Sequence, residues 1–301
     1  MVVISEAVQD IRTNWAISDA KRDEGLTTPE DIKRYDDISY GPHGVFNLLD
    51  IYHKKDVTEP QPVIVNIHGG GWVYGNKEIY QFYCMNLAQR GFAVVNFNYR
   101  LAPEVKYPAP LEDINAVMTF IKEHGDTYHL DTGNVFVVGD SAGGQLASQY
   151  LTIYSNPEYA KYFDFKVPDI QIRAAGLNCG LYDMKKSAEV GLEERIEDYV
   201  GKENYQKDFN GITILESMDV IGNMTENYVP SFVMSAVNDY LVEYVEPMYL
   251  HLKNLGVDTE MKIYGSKERE EVAHVFHVNI KLEEARMCND DECAFFRKHM
   301  V

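Results

Sequence analysis

The stretch VFVVGDSAGGQLA, from Val135 to Ala147, decides the fold. Apolar β-branched and aromatic residues lead up to Gly139, and the polarity changes immediately afterwards. Such apolar runs are typical of strands buried on both faces of a parallel sheet. Ser141 follows, and two more glycines come after it, so a sharp turn from strand into helix is predicted. Either this turn only needs small residues, or it exposes a nucleophilic serine at its corner.

Apolar strands alternate with helical patterns along most of the chain, which predicts an α/β fold with a mostly parallel sheet flanked by helices. The segment Glu6 to Tyr35 is predicted to form one or two helices, with Val8, Ile11 and Trp15 on one face. Strands are predicted in FNLLDIYHKK, QPVIVNIHGGGW, FAVVNFNYRLAP, NVFVVGD, IRAAGLNCGLYD, PSFVMSAVND and DTEMKIYG. Helices are predicted in IYQFYCMNLAQRG, APLEDINAVMTFIKEHG, SAGGQLASQYLTIYS, EPMYLHLKNLG and KLEEARMCNDDECAFFRKHM.

The segment from Met184 to Tyr228 interrupts this alternation. It is acidic and aromatic and stands between two strand patterns. We interpret it as an insertion over the carboxyl edge of the sheet, where ligands bind in such folds. The alternative is a helical decoration without a functional role.

Composition excludes several classes of partner. The 301 residues carry a formal net charge of −19, which disfavours nucleic acids and anionic membranes. No apolar run is long enough to span a bilayer, and MVVISEAVQDIRTNW lacks the pattern of a secretory signal, so we expect a cytoplasmic protein with no membrane partner. The cysteines show no spacing typical of metal ligands, so we expect no metal and reduced thiols.

Two glycine-rich motifs suggest chemistry. Gly139 to Gly143 matches G-x-S-x-G between a strand and a helix, the context that a nucleophilic serine requires. His68-Gly69-Gly70-Gly71-Trp72 follows another strand, and its backbone N–H groups, together with that of Ala142, are suited to bind a developing oxyanion. The alternative for the second motif is a flexible glycine loop. We interpret His68 as a structural residue that orients the loop.

A nucleophilic serine needs a base, and the base needs an orienting carboxylate. In this type of fold the chain order is serine, acid, histidine. Asp239 follows the strand SFVMSAV, and His274 lies in a polar loop after the last strand. Both also have ordinary explanations, because an Asp after a strand is often a cap and a loop His is often only solvated. The alternatives are Asp183 as the acid and His277 as the base, while Glu243 is a candidate for a supporting carboxylate.

Taken together, HGGGW, NYRLAPE (Asn98 to Glu104), GDSAGG, the region of Asp239 and the HVF of His274 resemble the hormone-sensitive-lipase-like branch of the α/β-hydrolases. The resemblance runs from about Phe46 to the C-terminus. It implies Ser141 as nucleophile, Asp239 as acid and His274 as base, with an oxyanion hole at Gly70, Gly71 and Ala142. The sequence departs from the family's D-P-L-x-D at Tyr240 and Glu243, and from its H-G-F at Val275.

The resemblance implies one α/β-hydrolase domain over residues 1–301, with a helical cap made of roughly residues 1–38 and 184–228. It implies a cofactor-free serine carboxylesterase acting on small-molecule esters, and family members often form homodimers. We expect short acyl chains, because the cap regions are rich in aromatic residues, and we expect Trp72 and Tyr74 to contact the substrate. The alternatives are a peptidase or amidase on the same fold, and a binding protein that kept the pocket.

Overall fold

The computed structural model describes residues 4–184 and 193–301. Helices and strands alternate through most of the chain. The helices are α1 (Glu6–Asp23), α2 (Lys77–Ala88), α3 (Ala109–His124), α4 (Ala142–Ser155), α5 (Pro157–Ala160), α6 (Glu193–Val200), α7 (Ile214–Ser217), α8 (Val220–Asn223), α9 (Val245–Asn254) and α10 (Glu283–Lys298). The strands are β1 (Ile32–Ser39), β2 (Leu48–Lys54), β3 (Gln61–Ile67), β4 (Ala93–Phe97), β5 (Leu130–Asp140), β6 (Ile172–Asn178), β7 (Asp208–Phe209), β8 (Ile212–Thr213), β9 (Ser231–Ala236) and β10 (Thr259–Tyr264).

Eight strands form one sheet in the order β1-β2-β4-β3-β5-β6-β9-β10. β1 and β2 pair antiparallel, as do β2 and β4, and the remaining neighbours are parallel. The predicted α/β architecture with a mostly parallel sheet is confirmed. The carboxyl ends of β3, β5 and β9 therefore meet at one edge, where an α/β sheet offers its binding site.

Both faces of the sheet are covered by apolar clusters. Successive residues of β3 illustrate this, since Val63 and Val65 join the cluster with α3, α4 and α9 while Ile64 joins the cluster with α2 and α10. Burial on both faces explains why the parallel strands are continuous apolar runs rather than alternating patterns. Within the two described ranges, no helix is long and apolar enough to cross a membrane.

The predicted helical extent at the N-terminus is wrong in its second part. Helix α1 ends at Asp23, and Gly25 follows with φ of +80°. The predicted helical segment runs to Tyr35, but residues 32–39 form the edge strand β1, which pairs with β2 through a bulge between Tyr35 and Ile38. The reason is tertiary, because β2 offers an open edge and glycine and proline before residue 32 end the helix. The predicted face of α1 is present, with Val8 buried and Ile11 and Trp15 packed against the core.

The described part of the insertion packs on the sheet's helical layer. Tyr199 of α6 stacks on Trp72, with ring centroids 5.2 Å apart, and the α7 residue Ser217 accepts a hydrogen bond from Gln149 of α4. Residues 1–3 and 185–192, which belong to the predicted cap, lie outside the described residues. The division of the chain into one domain and a two-part cap stays a prediction.

Helix α4 begins in direct contact with the end of β3. A Cβ atom on Gly143 would lie 2.1 Å from the carbonyl oxygen of Ile67 and 2.5 Å from that of His68. The first turn of α4 can approach β3 this closely only because residue 143 has no side chain. This glycine therefore fixes the distance between the Ser141 turn and the glycine loop that follows β3.

We predict that Gly143→Ala lowers the free energy of unfolding by roughly 3 kcal/mol or more, because the added methyl group must displace the backbone of β3. Urea denaturation at constant m-value measures this change. Gly133→Ala is the matched control, since its Cβ would meet only the Asp131 carboxylate oxygen at 3.2 Å. Equal stability of the two variants would contradict the assigned role of Gly143.

Candidate active site

Ser141 stands at the corner between β5 and α4. Its backbone lies at φ 53° and ψ −121°, which is rare for a residue with a side chain. The strained turn lifts the side chain above the carboxyl edge of the sheet and leaves the N-terminus of α4 beneath it. This geometry matches the nucleophile corner predicted from the G-x-S-x-G motif.

His274 joins Ser141 to Asp239. Its Nε2 lies 2.9 Å from Ser141 Oγ, and its Nδ1 lies 2.9 Å from Asp239 Oδ1. The Asp239 side chain is buried and accepts two further hydrogen bonds, from the Leu241 N–H at 2.7 Å and from Ser235 Oγ at 2.9 Å. These bonds hold the carboxylate in one orientation, so the imidazole presents a lone pair to the serine hydroxyl.

The alternative histidines lie elsewhere. His277 is buried against the Tyr83 ring, and burial lowers its pKa to about 3. His68 is fully buried and stacks on Tyr99, its Nδ1 lies 2.7 Å from the Gly69 carbonyl oxygen, and burial lowers its pKa to about 4. Both histidines are therefore neutral packing residues beside the glycine loop and α2.

Neither the alternative acid Asp183 nor the candidate supporting carboxylate Glu243 takes the place of Asp239 on the imidazole. The His274 Nδ1 bond goes to Asp239, whereas Asp183 lies after β6 and Glu243 is exposed on the short helix Val242–Tyr244. The carboxylate that contacts the imidazole is thus that of Asp239, three residues after the end of β9.

The expected oxyanion donors are the backbone N–H groups of Gly70 and Gly71 after β3 and of Ala142 at the start of α4, and Gly70 lines the cavity beside Ser141. Gly70 has φ of +121° and a Cβ there would lie 2.0 Å from the Tyr74 carbonyl oxygen, so glycine is required at this position. Gly71 has φ of +58°, a conformation that glycine adopts most easily. Within residues 4–184 and 193–301, the N–H groups of Gly70, Gly71 and Ala142 donate to no protein acceptor. Donors left open beside a serine–histidine pair are arranged to receive a ligand oxygen.

A cavity of about 300 Å³ opens beside Ser141 and His274. Its walls combine the glycine loop after β3, the loops that carry Tyr240 and His274, and one face of α1. It is lined by Trp15, Ser18, Asp19, Arg22, Gly69, Gly70, Tyr74, Ile79, Tyr80, Asp140, Ser141, Tyr240, His274 and Val275. Helix α1 therefore contributes a wall that the motifs alone did not reveal.

The two residues expected to contact the substrate differ in position. Tyr74 lines the cavity. Trp72 is not among the lining residues, since its ring is buried under Tyr199 and its Nε1 donates to Gln145 Oε1 at 3.1 Å. Trp72 thus connects the insertion to α4, and a direct contact with substrate stays a prediction.

Asp140 is a site residue that sequence reasoning missed. Its buried carboxylate accepts a hydrogen bond from the Tyr80 hydroxyl at 2.7 Å, and the same hydroxyl accepts from the Gly69 N–H at 3.0 Å. Burial raises the pKa of the Asp140 carboxyl to about 6, although the Tyr80 hydrogen bond opposes this rise. The Tyr80 hydroxyl thus links Gly69 of the glycine loop to Asp140, the residue before Ser141. The only sequence signal was the Asp inside G-D-S-A-G.

Cys179, Asp239 and His274 are residues of types that can bind a metal ion, and their possible ligand atoms lie within 4.8 Å of one another. Zinc binds a cysteine as the thiolate. Burial raises the pKa of the Cys179 thiol well above its usual value, which favours the protonated form. The imidazole nitrogen of this group is already hydrogen-bonded to Asp239, so the donor chemistry fits the serine–histidine–aspartate arrangement better than a metal site.

The comparison with known families agrees with this geometry. The model of the BD-FAE family matches residues 49–253, more than half of the chain. The chain belongs to the BD-FAE family. This is a hormone-sensitive-lipase-like esterase family, so the predicted family relationship is confirmed.

Among curated relatives, the chain is 33% identical over 153 residues to the probable carboxylic ester hydrolase LipM of Mycobacterium tuberculosis, covering 50% of this chain and 35% of LipM. It is 30% identical over 178 residues to the esterase LipQ of the same organism, covering 56% of this chain and 42% of LipQ. The chain thus spans less than half the length of these two relatives. A solved structure, esterase B from Lactobacillus rhamnosis, superposes with a TM-score of 0.86 at 22% identity, covering 97% of this chain and 95% of that one.

The two departures from the family motifs both lie against His274. Tyr240 packs its ring on the imidazole, with centroids 4.4 Å apart. Val275 has φ of +55°, a conformation that is unfavourable for a β-branched residue and natural for the glycine of H-G-F. In this BD-FAE protein the loop therefore holds a β-branched residue in a left-handed conformation at a cost in local strain.

We predict that a p-nitrophenyl phosphonate modifies Ser141 and that His274→Ala slows this reaction at least 100-fold, because Ser141 loses the group that accepts its proton. Intact-protein mass spectrometry measures the rate, and Ser141→Ala identifies the modified residue. His277→Ala, assayed below its unfolding midpoint, should react within about threefold of the unmodified protein. The opposite ranking of the two histidine variants would show that His277 is the base.

Proposed function

We propose that this protein is a serine carboxylesterase that forms an acyl-enzyme on Ser141. The observation that supports this proposal most strongly is the pair of hydrogen bonds from His274 to Ser141 Oγ and to Asp239, next to unused N–H donors. A serine of normal acidity is a weak nucleophile and needs such a base. A binding protein that had only kept the pocket would have no need for this set of contacts.

The reaction starts when His274 Nε2 takes the proton of Ser141 Oγ as that oxygen attacks the ester carbonyl. Asp239 keeps the His274 Nδ1 proton in place and stabilises the imidazolium. The negative oxygen of the tetrahedral intermediate binds the N–H groups of Gly70, Gly71 and Ala142. His274 then donates its proton to the departing alcohol, and a water molecule repeats the attack on the acyl-enzyme.

Similar proteins support ester chemistry. LipM and LipQ carry the names of a carboxylic ester hydrolase and an esterase. Esterase B of Lactobacillus rhamnosis, which shares the fold, has been crystallised inhibited by a C4-C4 tributyrin phosphonate. A phosphonate on a tributyrin-like scaffold mimics the tetrahedral state of a butyryl ester, which favours esters over amides for this chain as well. The cytoplasmic location, the expected absence of nucleic-acid partners and a homodimer stay predictions.

We predict that the protein hydrolyses p-nitrophenyl butyrate and that Ser141→Ala lowers kcat by roughly 10⁴- to 10⁶-fold. Asp239→Asn should lower kcat by about 10⁴-fold, because an amide in that position favours the wrong imidazole tautomer. Steady-state kinetics measure both changes, and circular dichroism checks the fold. An aminoacyl p-nitroanilide tests the amidase alternative.

Asp183→Asn is the matched control for the acid, since it makes the same change in the segment after β6, the strand next to β9 in the sheet. It should keep most of the activity. Greater loss in Asp183→Asn than in Asp239→Asn would assign the acid to the earlier strand, and near-normal turnover by Ser141→Ala would exclude the serine mechanism.

We propose short acyl chains as the preferred substrates. The cavity of about 300 Å³ is at the lower end of the roughly 300–1,000 Å³ usual for small-molecule sites. The rings of Trp15 and Tyr74 meet edge to face at 5.7 Å and close one side of it. Polar groups of α1 form another part of the wall, so a long alkyl chain would meet Asp19 and Arg22.

We predict that kcat/KM rises up to about fourfold per added carbon from acetate to butyrate, because each methylene that is buried contributes about 0.8 kcal/mol. It should then fall for longer chains, which no longer fit. A series of p-nitrophenyl esters, each below its solubility limit, measures the profile. A value that still increases at decanoate would indicate an open-ended site typical of a lipase.

A further inference from the structure

Helix α1 places a carboxylate in the wall of the cavity beside Ser141. Asp19 lines the cavity and keeps 21% of its side-chain surface exposed. Its Oδ2 accepts a hydrogen bond from the Tyr74 hydroxyl at 2.6 Å, and its Oδ1 accepts from Arg22 Nη1 at 2.8 Å. These two bonds, one from the loop after β3 and one from the same helix, hold the carboxylate in one orientation at the cavity wall.

The hydrogen-bonding capacity left on the Asp19 carboxylate and the Tyr74 hydroxyl belongs to acceptors, while Ser18 in the same wall carries a hydroxyl that can donate or accept. Each Asp19 oxygen accepts one bond and has capacity for a second. The Tyr74 proton is committed to Asp19, which leaves the Tyr74 oxygen as an acceptor. Arg22 has already used its donors on Asp19, on both oxygens of Asp23 and on the Ile79 carbonyl oxygen, apart from one Nη1 proton.

The charges of the lining residues also disfavour an anionic substrate group beside Asp19. The lining residues include two carboxylates, Asp19 and Asp140, and one cation, Arg22, which Asp23 also neutralises. A second cation, Arg195, lies over the Trp15 ring at 5.7 Å and is not among the lining residues. An anionic substrate group placed beside Asp19 would therefore face a like charge with few donors to receive it.

We propose that Asp19 is a specificity-determining residue, and that the preferred esters carry a hydrogen-bond donor, a hydroxyl or ammonium group, on the part that fills this cavity. The proposal rests on the carboxylesterase function proposed above and names its substrate class. Esters with a carboxylate at the same position are disfavoured.

The preference for a hydroxyl ester arises mainly from the cost of placing an apolar group beside the Asp19 carboxylate. A methyl group that reaches Asp19 displaces water from a carboxylate and returns no hydrogen bond, and an unpaired polar group is costly. A hydroxyl group restores the bond. Sites built around such an acceptor reject the analogue without the donor far better than an apolar pocket rejects an added methylene.

The test compares pairs of esters in which a hydroxyl replaces a methyl group. In the acyl series, ethyl 3-hydroxypropanoate, 4-hydroxybutanoate and 6-hydroxyhexanoate are compared with ethyl butyrate, valerate and heptanoate. In the alcohol series, 2-hydroxyethyl and 4-hydroxybutyl acetate are compared with propyl and pentyl acetate. Monoethyl succinate against ethyl 4-methylpentanoate tests the anion. Proton release at constant pH measures kcat/KM.

We expect the hydroxyl ester to be preferred by roughly 10- to 100-fold at the length that reaches Asp19, in one of the two series. Asp19→Asn should bring this ratio down by about tenfold and should relieve the rejection of monoethyl succinate. Asp10→Asn, an equal change of charge at an exposed position of the same helix, should leave both ratios as they are.

Binding provides a second measurement that does not depend on turnover. Calorimetry of Ser141→Ala with the same intact esters should show the same hydroxyl preference. Equal kcat/KM within every pair in both series, equal binding, or a ratio that survives Asp19→Asn would overturn the proposal. If no ester is hydrolysed, the carboxylesterase function fails, and the calorimetric preference still decides the role of Asp19.

Discussion

At the junction between strand β5 and helix α4, backbone atoms are in direct contact with one another. The arrangement of the site depends on this contact. A Cβ on Gly139 would lie 2.3 Å from the Gly143 carbonyl oxygen, and one on Gly143 would lie 2.1 Å from that of Ile67. The two glycines let the turn close on itself and press against β3. As a consequence, Ser141 and the loop of Gly70 and Gly71 are held at a fixed separation by the sheet rather than by side-chain packing.

Helix α1, which forms another wall of the cavity, is held in place by different interactions. Only Val8 of α1 is fully buried, so apolar burial contributes little to docking this helix. Arg12 instead donates to the backbone oxygens of Val73 and Ala102 and forms a bidentate pair with Glu104, an interaction that lowers the pKa of Glu104. Because these groups remain partly exposed, each interaction is weak in water, and α1 is held by their number and geometry. The site thus combines a rigid catalytic edge with a polar, less strongly held wall.

The sequence predicted the central sheet well because its strands are buried on both faces, and such strands need continuous apolar runs. It failed at β1, whose charged residues read as helix and whose strand conformation depends on pairing with β2. The three residues expected to form the serine–histidine–aspartate arrangement do lie within hydrogen-bond distance, since strand ends in a parallel sheet converge on one edge. The positions of Trp72 and Asp19 could not be predicted, because they depend on how α1 and α6 pack on the edge.

The residues next to His274 show how packing can hold a strained backbone conformation in place. Glycine would adopt φ of +55° at position 275 at little cost, whereas valine must be held there by its surroundings. Phe276 next to it is buried against Tyr264, and Val272 on the other side of His274 is also buried in the same apolar cluster. These contacts fix the loop from both sides, and the Tyr240 ring covers the imidazole where proline stands in the family motif. The position of His274 is therefore determined by packing on both of its flanks, which holds Val275 in a conformation that glycine would adopt more easily.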